Sequence, residues 1–306
     1  MSKGGYELDA AYGKQSVPVF KVLKGAGGRH DVLDMVVQLM LRGEVSLSWT
    51  AGDNGQIVPT ETQKNTCFAI ALQHDFTSPE EYAIILGSDL LARHKHLASV
   101  TIDVSARMWK RHSAGGVPHD HVFTSSPAPP KTTCHVVVSR DGPTRVRSGV
   151  AAMRLMKTTA SGFAGFIKDK YTDLQPVGAG SANPDRIMCT EMTATWDYRS
   201  SAKAPDYAVT NAAIARLLAE QFAGPVPGGV FSKSLQETVY RMGTQALGQC
   251  AEIDAIEIIT PNVHFYPWEG GKFGLDNPNV VFRSTEPDTT ASGRIYTRLT
   301  RGTAKL

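Results

Sequence analysis

The chain has 306 residues, 42% of them hydrophobic and 20% charged, with a formal net charge of +3. At roughly 150 residues per domain this is about two units with room for a sizeable core, and no apolar run approaches the ~20 residues of a membrane span. The small excess charge argues against a nucleic-acid partner.

Taken in chain order, residues 17–24 and 32–50 read as paired strands. The polar run 59–66, before the apolar residues 67–72, reads either as an ordinary helix start or as a cluster of functional side chains. Ser78-Pro79-Glu80-Glu81 combines an N-cap, a proline at the first helical position and a capping-box glutamate. Behind it Tyr82, Ile85, Leu86 and Leu90 form one apolar helical stripe. Val100, Ile102, Val104, Ala106 and Met108 then alternate with polar residues, the period of a strand buried on one face. Residues 121–125 are expected to pair back onto that strand. Arg107, Lys110 and Arg111 cluster here and read as solvated surface.

The stretch 125–131 (SSPAPPK) reads as a linker, placing the two units at 1–130 and 131–306. The second unit repeats the plan, with a strand at 134–140, a turn at Asp141-Gly142-Pro143 and a return strand toward Lys157. A long strand containing Met188, Met192, Ala194, Trp196 and Tyr198 follows. Helices at about 205–222 and 232–247 and strands at 253–260 and 280–283 complete the reading. The expected class is α+β, with two units of antiparallel strands and helices on one face. Such units leave sheet edges to be covered or paired, for which symmetric closure of a barrel is one solution.

Cys67, Cys134, Cys189 and Cys250 are far apart, form no C-x-x-C pair and sit among apolar residues. They read as buried thiols in a reducing compartment, without disulfides. The first 14 residues lack the apolar stretch of a secretory signal.

Three places could carry chemistry. The first is the run 59–66. The second is Ser234-Leu235-Gln236-Glu237, whose capping-box spacing puts the amides of Leu235 and Gln236 in a first helical turn. There the dipole favours an anion, and the Gln236 amide adds a donor and an acceptor; simple capping explains the same residues. The third is Pro261-Asn262-Val263-His264, where alternation presents Asn262 and His264 together, although a lone histidine is commonly structural. His94/His96 and His119/His121 are weak metal candidates, the former because i and i+2 face apart on the expected helix. No P-loop, no G-x-G-x-x-G after a strand and no G-x-S-x-G is present.

At these same places the chain resembles the uricase (urate oxidase) family. The matching segments are 60–66 (TETQKNT), 165–174 (GFIKDKYTDL), Asp185-Arg186-Ile187 with Ala194-Thr195-Trp196, 235–242 (LQETVYRM) and 261–264 (PNVH), and the likeness runs from Ala11-Tyr12-Gly13-Lys14 to the C-terminus. The resemblance implies a tunnelling fold, two ββααββ-like units per chain closing into a hollow homotetrameric barrel with active sites at subunit interfaces.

It further implies that Phe163 stacks on urate, Arg186 holds its anionic edge, and Gln236 with the Leu235 amide reads the opposite edge. Thr60 would enter the pocket from a neighbouring subunit, with Glu61 beside it as a substrate-binding residue. Lys14, hydrogen-bonded to Thr60, would form a proton relay with it and His264. Asn262, with Thr60, would hold dioxygen and later water. The implied reaction needs no metal, flavin or other cofactor and yields 5-hydroxyisourate and hydrogen peroxide. Ala304-Lys305-Leu306 differs from the peroxisomal S-K-L ending by one small residue, which implies a peroxisomal import receptor as partner.

Some positions depart from the pattern. Glu61 stands where the family generally has aspartate, Pro59 precedes the threonine, Ala164 is small, and residues 225–229 form a proline- and glycine-rich insert. Two alternatives stand beside the oxidase: an inactive purine-binding or structural tetramer, and a tunnelling-fold enzyme acting on pterins or guanine nucleotides.

Overall fold

The computed structural model describes residues 6–127, 129–163, 165–172, 186–200, 204–278, 280–287 and 289–302. Ala164, Asp185 and the terminal Ala304-Lys305-Leu306 lie outside the described residues. The chain divides into two units, one of residues 1–149 and 197–209, the other of 150–196 and 210–306.

In the first unit, β1 (Tyr12–Lys24) pairs antiparallel with β2 (His30–Gly43). The second strand expected there is therefore shorter than residues 32–50: it stops at Gly43, and Leu47–Thr50 forms a short helix, α1. Gly43 marks the stop because a Cβ there would lie 2.2 Å from the His96 carbonyl oxygen. Helix α2 (Thr60–Gln73) begins directly after Pro59, so the polar run is a helix start.

Helix α3 (Pro79–Arg93) has the expected cap: the Glu81 amide donates to Ser78 Oγ at 3.2 Å, and the Thr77 amide donates to the Glu81 carboxylate at 2.7 Å. Its stripe packs on β3 (Leu97–Arg107) and, further on, β6 (Lys131–Ser139). Leu39, Ile102 and Val136, in register across β2, β3 and β6, are fully buried with Tyr82, Leu86 and Leu90.

Between β3 and β6, β4 (Lys110–Ala114) and β5 (Val117–Thr124) form a hairpin of their own. This corrects the expectation that residues 121–125 pair with the preceding strand: β6 holds that edge of β3, and two adjacent glycines, Gly115 and Gly116, both with positive φ, make the tight turn. Arg111 is also not simply solvated. Its side chain is 14% exposed, pairs with Asp31 and donates to the His119 and Asp120 carbonyls at 2.8 and 2.7 Å.

The passage between units falls after Gly149, inside β7 (Arg145–Lys157). Strand order is β1-β2-β3-β6-β7 in the first unit and β7-β8-β9-β12 in the second, with β8 at Met188–Tyr198, β9 at Ile253–Val263 and β12 at Arg294–Thr300. Helices α4 (Tyr207–Ala223) and α5 (Leu235–Gln249) and the small pair β10 (Phe265–Pro267) and β11 (Phe282–Ser284) complete the chain. The last expected strand, 280–283, thus begins two residues later.

The units repeat one construction. In α5 the Glu237 amide donates to Ser234 Oγ at 3.1 Å, as Glu81 does to Ser78. Gly87 and Gly243 each let a helix touch its sheet, since a Cβ would lie 2.6 Å from Val138 Cγ2 and 2.7 Å from Leu299 Cδ1 respectively. At the far end Arg140 donates to the carbonyls of Leu91, His94 and Leu97, and Arg301 to those of Leu247, Cys250 and Ile253. Each arginine supplies donors to a helix C-terminus whose last carbonyls have no intrahelical partner.

All four cysteines are buried, where desolvation raises their pKa values. Among the described residues no helix is long and apolar enough to cross a membrane.

Candidate active site

The residues singled out from sequence fall into two sets, one in each unit. In the second unit Phe163, Arg186, Leu235, Gln236, Asn262 and His264 line one cavity of about 130 Å³. They come from four places in the chain, each held locally. Ser234 caps α5, so the Leu235 and Gln236 amides lie in the first turn and point along the positive end of the helix dipole. Asn262 is the last residue but one of β9, its amide donating to the Gly293 carbonyl at 2.8 Å. His264 follows the strand, its amide donating to Thr285 Oγ1 at 2.9 Å and its ring stacked on Tyr266.

Arg186 and Phe163 form the remaining wall. The guanidinium carbon lies 5.7 Å from the Phe163 ring centroid, and Phe163 stacks on Phe166 with centroids 3.6 Å apart. Desolvation lowers the Arg186 pKa, partly opposed by Tyr266. Its charge survives, because arginine stays protonated in proteins, but it has lost hydration that an anion could replace. Desolvation also lowers the His264 pKa below 6.5, and the nearby Arg186 charge lowers it further. His264 is therefore neutral around pH 7, with one ring nitrogen able to accept a proton.

An aromatic face, a guanidinium fork and a helix start around one narrow space suit a flat anion with hydrogen-bonding edges. The first unit cannot repeat this arrangement at α3. Pro79 stands where Leu235 stands and has no N–H. Glu80 stands where Gln236 stands, 1% exposed, and its carboxylate accepts from Ser148 Oγ at 2.5 Å. An anion at α3 would meet a buried carboxylate.

Lys14, Thr60 and Glu61 gather in the first unit. Gly13 lets β1 lie hard against β2, since a Cβ there would sit 1.8 Å from the Leu39 carbonyl oxygen. A register shift between Lys14 and Val17, with Ser16 at φ 59°, re-aims the strand. Beside Lys14, Tyr12 Oη accepts the Val58 amide at 2.8 Å, tying the chain before Thr60 to β1. The Glu61 carboxyl is held below its usual range by Lys64, 2.7 Å away, with Lys14 adding a further attraction.

His94 lies just past α3 rather than inside it, because the helix stops at Arg93. Its ring comes within 6.0 Å of the His96 ring, so the objection that the two face apart on a helix falls away. Among the described residues, no three His, Cys, Asp or Glu side chains are placed to hold a metal ion. Sequence reasoning missed several cavity residues: Ser161, Gly162, Cys189 and Ile295 carry no motif that would have revealed them.

The family model for uricase matches residues 10–136 and 146–292. The chain belongs to the uricase family. It is 33% identical to uricase-2 isozyme 1 of Canavalia lineata, covering 99% of this chain and 98% of that protein. Against the uricase of Dictyostelium discoideum the identity is 31%, covering 98% and 99%. The crystal structure of uricase from Arthrobacter globiformis superimposes with a TM-score of 0.85 at 30% identity, covering 99% of this chain and 98% of that one. The tunnelling fold expected from the motifs is thus the fold of the family, and it accounts for the large antiparallel sheet with few helices.

Proposed function

We propose that this member of the uricase family is a urate oxidase: urate, dioxygen and water give 5-hydroxyisourate and hydrogen peroxide. The observation that carries the reading is the convergence of Phe163, Arg186, Leu235, Gln236, Asn262 and His264 on one cavity, in a chain that matches the family nearly end to end. Phe163 stacks on the purine, Arg186 pairs with its anionic edge, and Gln236 with the Leu235 amide takes the other edge. Asn262 positions dioxygen, then water, over the ring.

The electrons come from urate itself, whose deprotonated ring is electron-rich, so the protein's work is binding, positioning and proton transfer. Lys14, Thr60 and His264 form the relay, with Lys14 exchanging a proton through the Thr60 hydroxyl. Lys14, Thr60 and Glu61 reach the cavity from a second copy of the chain, within a homotetramer that closes the sheets into a barrel. Ala304-Lys305-Leu306 directs a peroxide-forming enzyme to the peroxisome.

Anaerobic titration with urate tests the reading. One urate should bind per chain, and Arg186→Gln should lose most of that affinity. Mixed tetramers of Lys14→Met and Arg186→Gln chains should regain part of the activity each parent lacks, because some interfaces then pair two intact halves. Failure of wild-type protein to bind urate contradicts the assignment, and mixed tetramers as inactive as their parents contradict shared sites.

A further inference from the structure

Three segments that line the cavity, those of Phe163, Arg186 and Leu235, are tied together by buried groups. Ser161 and Ser232, 1% and 0% exposed, form an isolated parallel bridge. Through it the Gly162 amide donates to the Ser232 carbonyl at 2.9 Å, and the Ser232 amide donates to the Ala160 carbonyl at 2.9 Å. Ser161 also holds Arg186 at both ends of one residue. Its carbonyl accepts the Arg186 amide at 2.8 Å, and its hydroxyl donates to the Arg186 carbonyl.

Ser232 in turn reaches the start of α5. Its Oγ lies 2.8 Å from the hydroxyl of Thr238, which is fully buried and one turn into the helix. From the end of β7 the Lys157 ammonium donates to Ser232 Oγ at 2.6 Å and to the Val230 carbonyl at 3.0 Å. Ala160, beside the bridge, is held at φ 58°, a left-handed conformation unfavourable to a residue with a Cβ. Strain of this kind persists only where surroundings over-determine it.

We propose that Lys157, Ser161 and Ser232 are positioning residues that set the gap between the two walls of the urate pocket, Phe163 and Arg186 on one side and Leu235 and Gln236 on the other. The proposal rests on the urate oxidase reading and deepens it. A planar ligand recognised on opposite edges needs its two sets of donors at a fixed spacing, and these three residues are where the segments bearing them meet. Loosening them should therefore weaken substrate recognition and leave proton transfer intact.

The test compares Lys157→Met, Ser232→Ala and Lys157→Arg with wild type, in steady-state kinetics on urate and in amide hydrogen exchange at Gly162 and Arg186. Lys157→Met and Ser232→Ala should raise KM for urate about tenfold while kcat stays within about twofold, the pattern of lost uniform binding. Both should speed exchange at the two amides, and Lys157→Arg, which retains the cation, should restore KM and exchange toward wild type. Unchanged KM with unchanged exchange overturns the proposal, as does a fall in kcat at constant KM. Wild-type protein that fails to turn over urate counts against the parent reading instead, and the exchange pattern still decides whether Lys157 holds the walls together.

Discussion

Replacing Gly293 with alanine separates activity from stability at a single atom. Gly293 faces the end of β9, and a Cβ there would stand 2.7 Å from Asn262 Nδ2. Ordinary contact begins near 3.4 Å, so the amide must retreat by about 0.7 Å. The backbone at Gly293 lies outside the left-handed region and accepts alanine without strain, and a stiffer unfolded chain offsets part of the cost by about 0.4–1 kcal/mol. Stability should therefore change little.

Asn262, however, is assigned the task of placing dioxygen and water over the substrate ring, and a misplacement approaching 1 Å can cost roughly 100-fold in rate. We expect kcat to fall by about 10- to 100-fold, with urate affinity within about twofold and Tm within a few degrees. Stopped-flow turnover at several oxygen concentrations, anaerobic urate titration and thermal melts read the three quantities. Wild-type turnover in Gly293→Ala would refute the assignment of Asn262, and a loss of urate affinity as large as the loss of rate would move Asn262 from oxygen to urate.

Other predictions follow from the relay, the histidine and the helix start. Thr60→Ala and Lys14→Met should each reduce turnover sharply while urate still binds, because relay groups act on the barrier more than on ground-state affinity; unchanged turnover in either variant removes it from the relay. Acidification should protonate His264 only below its ordinary value of 6.5, so the acid limb of kcat/KM falls below pH 6.5 and disappears in His264→Asn. The unfolded chain takes up that proton at higher pH than the folded one, so His264 also contributes stability that is present above pH 6.5 and lost on acidification, which melts of wild type and His264→Asn can separate. Ser234→Ala, which deletes the α5 cap, should cost about 1 kcal/mol of stability and raise KM; an unaltered KM would detach the helix start from substrate binding. Gly13→Ala should fold poorly, since no side chain can stand 1.8 Å from the Leu39 carbonyl oxygen, and wild-type yield and Tm would contradict the close approach.

Local signals carried much of this reading. The Ser78 capping box places a helix start to the residue, because a cap acts within four positions of the chain; the Ser234 box marks the other start, although the helix expected there from 232 begins at Leu235. The alternation from Val100 to Ala106 marks β3 for the same reason, a period-2 pattern being a property of neighbours. Pairing is different: residues 121–125 were expected against β3, yet β6 takes that edge, a choice made by residues far along the chain. Residues 45–50 look like strand continuation until Gly43 closes against His96. At the site, Arg186, Gln236, Asn262 and His264 sit in motifs and were legible. Ser161, Ser232 and Lys157 were not, because a serine in a loop and a lysine at a strand end look like punctuation and surface until Arg186, Val230 and Thr238 are placed around them.

The most direct test of the account is the decay of urate absorbance in air-saturated buffer with chelator-treated, purified protein, with oxygen uptake and peroxide followed together. Urate loss, oxygen consumption and peroxide should rise in equal amounts, and chelator should have no effect. Urate that binds and persists in air would contradict it, and would direct attention to Pro59, Glu61 and residues 225–229 as the places where this chain has left the family's chemistry.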